Sequence, residues 1–205
     1  MRFYTFSKWL HRFYPDAIWD FFSSKEKVIY LTFDDGPNPE STEWILKLLE
    51  EYNAKATFFC LGKNVISNPG LLEKIKSKEH STGSHGMNHL NGFQTSNSEY
   101  LDDVKEAQKI IKSNLFRAAY GKISRSQFRE VKKLGYQIVF WSLLTYDFDA
   151  TLTSEKRIKL IRKKTKPGSI LVFHDSDKAF PQLKNELPVL IKEWSKKGYR
   201  FQKIE

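Results

Sequence analysis

Apolar positions along the chain alternate between short runs closed by Gly, Pro or Asp and longer stretches with apolar residues three and four apart. Lys27–Phe33 (KVIYLTF) is a β-branched and aromatic run ended by Asp34-Asp35-Gly36-Pro37, which predicts a strand and a sharp break. Ser41–Tyr52 follows as a helix, with Trp44, Ile45, Leu48 and Leu49 on one face. The pattern continues as a strand over Lys55–Leu61, a helix over Leu71–Lys78, a short segment into Gly83-Ser84-His85, and a helix over Ser98–Ser113. After Phe116 come a helix over Ser124–Leu134, a strand over Tyr136–Leu143 and a helix over Ser154–Lys164. A strand over Gly168–His174, a helix over Leu187–Lys197 and a last run at Tyr199–Ile204 complete the chain. Such alternation, without internal repeats, predicts an α/β fold with a mostly parallel sheet, open or closed into a barrel.

Residues 1–26 stand apart as an N-terminal amphipathic segment, with residues 27–205 as the domain. Phe3, Phe6, Leu10 and Phe13 fall at helical spacing among Arg2, Lys8, His11 and Arg12, and Pro15 ends any helix there. A helix packed on the domain is the preferred reading. The alternative is peripheral membrane contact through residues 1–20. The basic start is followed by no uninterrupted apolar stretch and no small-residue cleavage site, so it does not read as a secretory signal. No apolar run approaches the length of a membrane span. A cytoplasmic or membrane-peripheral location is therefore expected.

Composition narrows the classes further. With 40% hydrophobic and 28% charged residues the chain can bury a core, which excludes intrinsic disorder. A single cysteine, Cys60, excludes an intrachain disulfide and cysteine-based metal clusters. It lies inside FFCLG as a buried structural thiol. The net charge of +10 suits an anionic partner, yet the basic residues spread along amphipathic stretches such as residues 156–164. With no recognisable nucleic-acid motif, a nucleic-acid partner is not expected.

The chemistry-bearing residues gather where predicted strands end: Asp34-Asp35, His85 with His89, Arg117, Asp147 and His174-Asp175. Strand carboxyl ends converge on one face in parallel α/β folds, and active sites are built there. Asp34-Asp35-Gly36-Pro37 alone reads as a turn. His85 and His89 are four apart, and one helical turn would aim both imidazoles at one metal ion. Two histidines and one carboxylate leave a coordination position open, the layout of a catalytic zinc site. His174 ends an apolar strand, where a satisfied core histidine competes with a general acid.

The ordered set Thr32-Phe33-Asp34-Asp35-Gly36-Pro37, His85-x-x-x-His89, Arg117-x-x-Tyr120-Gly121, Trp141 with Asp147, and Val172-Phe173-His174-Asp175 resembles the polysaccharide deacetylase family, the family-4 carbohydrate esterases with the NodB homology domain. The resemblance covers about residues 27 to 204 and implies an irregular (β/α) barrel. It implies a metal-dependent hydrolase that removes N-acetyl or O-acetyl groups from an acetylated glycan, with Zn2+ or another divalent transition metal as cofactor. Asp35, His85 and His89 would be the metal ligands and Asp34 the general base, held by Arg117. The Tyr120 N–H would stabilise the oxyanion, and His174, tuned by Asp147, would be the general acid. Phe148 and Val172 would contact the substrate.

Three positions depart from the family pattern. Gly86 stands where a hydroxyl residue usually braces the second motif, Ala118-Ala119 replace a segment that usually carries proline, and Phe148 replaces a frequent Trp. These bear on substrate preference rather than on reaction class. The rival readings are a related barrel hydrolase acting on another amide or ester, and a catalytically idle glycan-binding protein.

Overall fold

In the computed structural model, which describes residue 5, residues 11–23 and residues 26–205, one strand organises the molecule. β1 (Val28–Asp34) pairs in parallel with β2 (Ala56–Cys60) on one side and β7 (Ile170–His174) on the other, and its first residues also meet β8 (Arg200–Phe201). The remaining strands are β3 (Ser81–Ser84), β4 (Leu115–Phe116), β5 (Gln137–Ile138) and β6 (Leu143–Leu144). The main path of the sheet runs β5-β4-β3-β2-β1-β7-β6, and every pairing in it is parallel. The sheet curls into a half-barrel, the irregular (β/α) barrel that the motifs imply.

Period-two geometry sorts the side chains of each strand between two faces. Leu31, Phe33, Phe58, Cys60, Leu171 and Phe173 join the core beneath α1 (Ser41–Glu51), α3 (Leu71–Ser77) and α7 (Phe180–Lys196). Alternate positions, among them Phe59, Leu115, Ile170 and Val172, fill the inside of the barrel. Thr32 and Asp34 share β1's inner parity, and this brings Asp34 to the mouth. α4 (Asn97–Ile111), α5 (Arg125–Lys133) and α6 (Ser154–Lys164) complete the helical cover. No helix among the described residues is long and apolar enough to cross a membrane.

Three elements differ from the sequence expectation. The single strand expected over Tyr136–Leu143 divides into β5 and β6, because its two ends pair with different neighbours, β4 and β7. The stretch between them crosses the seam of the barrel, and Arg117 fills part of the gap by donating to the Val139 and Phe140 carbonyls. Ile18 fills another part, bridging Val139 in parallel. α7 begins at Phe180, seven residues before the expected Leu187. Pro181 lies in the first turn, where a proline removes an N–H that has no helical partner anyway. The short α2 (Gly62–Ser67) was not expected.

Of the N-terminal amphipathic positions, Phe3, Phe6 and Leu10 lie outside the described residues. From His11 onward the chain packs on the barrel. Trp19 is buried and stacks on Phe140 at 4.2 Å, and the Tyr14 hydroxyl donates to the Ile123 carbonyl at 2.7 Å.

Candidate active site

Asp34 is the last residue of β1 and is buried. In continued strand geometry Asp35 would face the other way, as expected from the alternation. Instead Asp35 takes φ 77°, in the left-handed region, and its carboxylate swings back into the same cavity. His85 Nε2 consequently lies 4.0 Å from Asp34 Oδ2 and 3.7 Å from Asp35 Oδ1.

His85 and His89 do not occupy a helical turn. They flank a loop in which Gly86 (φ 82°) and His89 (φ 62°) are both left-handed. This corrects the helical expectation while keeping both rings on one cavity, 5.0 Å apart between centroids. His85 Nδ1 lies 2.8 Å from the Arg117 carbonyl, so the proton belongs on Nδ1 and Nε2 presents its lone pair to the cavity. Burial pushes the His85 pKa down, against the neighbouring carboxylates, favouring the neutral ligand form.

Asp35, His85 and His89 offer ligand atoms that all lie within 4.8 Å of one another. Asp35 Oδ1 is 3.2 Å from His89 Nε2, yet it is buried and makes no hydrogen bond. A buried acceptor facing two nitrogens without a shared proton is an unsatisfied site. A divalent cation satisfies it, and an N, N, O donor set suits a transition metal.

Arg117 is fully buried, and each end of its guanidinium is occupied. Nη1 donates to Asp34 Oδ1 and Thr32 Oγ1, both at 2.7 Å, and the group lies 4.0 Å over the Phe59 ring. His174 Nδ1 meets Asp147 Oδ1 at 2.7 Å, while Asp147 Oδ2 accepts the His174 backbone N–H. Burial by itself would lower the His174 pKa. The Asp147 carboxylate outweighs it by charge and hydrogen bond, and the value is pushed up to about 9.

Asp34, Asp35, His85, His89 and His174 line one cavity of about 420 Å3, together with Tyr120, Phe148 and Val172. Tyr120 is 60% exposed and meets His89 edge-on, whereas Phe148 packs edge-on against His174 at 4.8 Å. All ten residues singled out in the sequence therefore come together, Arg117 and Asp147 behind the cavity wall in contact with Asp34 and His174.

Leu144, Tyr146 and Asp103 were not singled out from the sequence, and Asp175 was named there without a role of its own. Leu144 and Tyr146 join Trp141 and Phe148 in the apolar wall. Asp175 lies beneath the Asp34–Gly36 turn and accepts from the Ser41 and Thr42 hydroxyls at the start of α1. A Cβ on Gly36 would meet Asp175 Oδ2 at 2.3 Å, so only glycine fits there. Asp103, buried on α4, accepts from Met87 N, Asn88 N and Asn88 Nδ2 at 2.8–3.0 Å. It holds the segment between the two histidines, and a Cβ on Gly86 would lie 2.7 Å from its carboxylate. Bracing thus comes from Asp103 rather than from a hydroxyl at position 86. Its only trace in the sequence is an acidic residue on a buried helix face.

Fold and site together define a (β/α) barrel of the carbohydrate esterase class. Residues 23–139 match the family described as polysaccharide deacetylase. The chain is 35% identical over 184 residues to a peptidoglycan-N-acetylglucosamine deacetylase of Bacillus cereus, covering 87% of this chain and 86% of the relative. It is 32% identical over 160 residues to a chitooligosaccharide deacetylase of Azorhizobium caulinodans, covering 75% and 76%. The solved structure of the Bc1960 peptidoglycan N-acetylglucosamine deacetylase, in complex with 4-naphthalen-1-yl-N-oxidanyl-benzamide, superposes with a TM-score of 0.87 at 26% identity, covering 98% of this chain and 95% of that one. The chain belongs to the polysaccharide deacetylase family.

Proposed function

We propose that this protein hydrolyses the N-acetyl group of N-acetylglucosamine units in a glycan, using Zn2+ or another divalent transition metal held by Asp35, His85 and His89. The buried, unpartnered Asp35 Oδ1, facing two imidazole nitrogens in the cavity that also holds Asp34 and His174, carries the reading. The relatives named above, acting on peptidoglycan and chitooligosaccharides, support this substrate class.

A metal held by Asp35, His85 and His89 would polarise the acetyl carbonyl and acidify a bound water. Asp34, oriented by Arg117, takes the proton of the attacking water. The Tyr120 backbone N–H would donate to the oxygen on which negative charge develops. His174, protonated at neutral pH through Asp147, gives its proton to the departing sugar nitrogen, releasing acetate and an amine. Trp141, Leu144 and Phe148 form the apolar wall beside the acetyl methyl. A protein that only bound glycans would need neither the Asp34–Arg117 nor the His174–Asp147 pair.

The test measures acetate release from peptidoglycan fragments and chitooligosaccharides, beside zinc content. Chelation should abolish turnover and added Zn2+ restore it. Asp35→Asn should lose both zinc and activity. Asp34→Asn should keep zinc and lose roughly 10²–10⁴-fold in kcat, the usual worth of a general base. Full turnover in metal-free protein would overturn the proposal, and zinc loss in Asp34→Asn with retention in Asp35→Asn would reverse the two roles.

A further inference from the structure

The described arginines divide into two groups. Arg117, Arg157, Arg162 and Arg200 each pair with a carboxylate, from Asp34, Glu186, Glu193 and Glu26 respectively. The other described arginines, Arg12, Arg125 and Arg129, have no ion pair, and all three line one open cleft of about 720 Å3. Phe13 and Phe128 form its apolar floor, and the one carboxylate on it, Asp16, pairs with none of the three.

Local electrostatics at this helix start favours an anion. Arg125 is the first residue of α5, at the positive end of the helix dipole, and the first turn contains no acid. Arg129 lies one turn further on the same face, a like-charge spacing that destabilises a helix. The Arg125 guanidinium is held 3.9 Å over the Phe13 ring, beside Arg12 in sequence. Three arginines without an ion pair around one cleft at a helix start suit a phosphate, which accepts paired N–H donors.

The source of that phosphate follows from the residues that lead into the cleft. No acidic residue precedes Asp16, while Arg2, Lys8, Phe3, Tyr4, Phe6 and Trp9 give this stretch the basic and aromatic composition of segments at lipid headgroup level. We propose that Arg12, Arg125 and Arg129 bind the phosphate of an anionic phospholipid headgroup and hold the protein at a membrane surface. The Tyr14 hydroxyl donates to Ile123, and the adjacent Lys122 lines the catalytic cavity, so the lipid-binding face and the cavity mouth share one loop.

The experiment is co-sedimentation of the full chain with phosphatidylcholine vesicles, with and without phosphatidylglycerol. Binding should require phosphatidylglycerol and weaken roughly a hundredfold in Arg12→Gln/Arg125→Gln/Arg129→Gln. The control Lys156→Gln/Lys159→Gln/Lys163→Gln removes equal charge from the exposed face of α6 and should lose roughly tenfold less. Arg129→Gln alone should lose roughly fivefold, with folding checked by circular dichroism and acetate release from soluble oligosaccharide unchanged. Equal loss in the two triple variants would reduce the effect to bulk charge and overturn the site. Calorimetric binding of inorganic phosphate without vesicle binding would overturn the lipid assignment.

Discussion

Asp34 and Asp35 carry the same side chain one residue apart, and backbone conformation separates their surroundings. Asp34 keeps strand geometry and lies against Arg117. Asp35, in the left-handed region, turns its carboxylate toward the two histidines. A similar division separates His85, whose burial pushes its pKa down toward the neutral form, from His174, whose Asp147 partner pushes it up toward the protonated form. The His174 pair has a consequence for stability against pH. Its folded value of about 9 lies above the ordinary 6.5. The stabilisation is therefore complete below pH 6.5 and disappears as pH rises through about 9. It amounts to at most about 3 kcal/mol. Denaturant unfolding of chelated protein across that window should show the decline in wild type and not in Asp147→Asn. The same slope in both proteins would mean that Asp147 does not set the His174 charge.

At the scale of elements, the loop that carries His85 and His89 is irregular and depends on a helix distant in sequence. Asp103 on α4 satisfies two backbone N–H groups and one side-chain amide between His85 and His89. Removing the acceptor leaves those donors unpaired and frees the loop. Asp103→Ala should weaken zinc binding about 10–100-fold, the usual cost of losing a residue that orients metal ligands. Asp103→Asn keeps one carbonyl acceptor and should fall between it and wild type. Titration with a competing zinc chelator measures both, and unchanged affinity in Asp103→Ala would exclude a bracing role. The capping box of α5, formed by Ser124 and Gln127, fixes the start of the next helix independently of metal.

For the whole molecule, the decisive feature is the closure of the curled sheet. β5 and β6 are the two edges of the path and are consecutive in sequence, so residues 139–142 join one edge to the other. Trp19, Ile18 and Arg117 fill the space beside this crossing. Since Trp19 is buried against Phe140, Trp19→Ala should cost about 3–5 kcal/mol in urea unfolding. A loss below about 1 kcal/mol would show that the segment before β1 adds little to the barrel.

Much of this was legible in the sequence because it depends on local chemistry and periodicity. KVIYLTF alternates toward two buried faces, its end at Asp-Asp-Gly-Pro is a backbone break, and the order of the five motifs carries the family and its site residues. Period alone also placed the helices that cover the sheet, apart from α2 and the proline-containing start of α7. Tertiary structure decided what depends on partners far apart in sequence. It divided residues 136–143 between two neighbouring strands, gave Gly86 the space filled by the Asp103 carboxylate, and brought Arg125 and Arg129 beside Arg12. No local pattern encodes these pairings, because each exists only after the barrel has curled and brought the distant segments together.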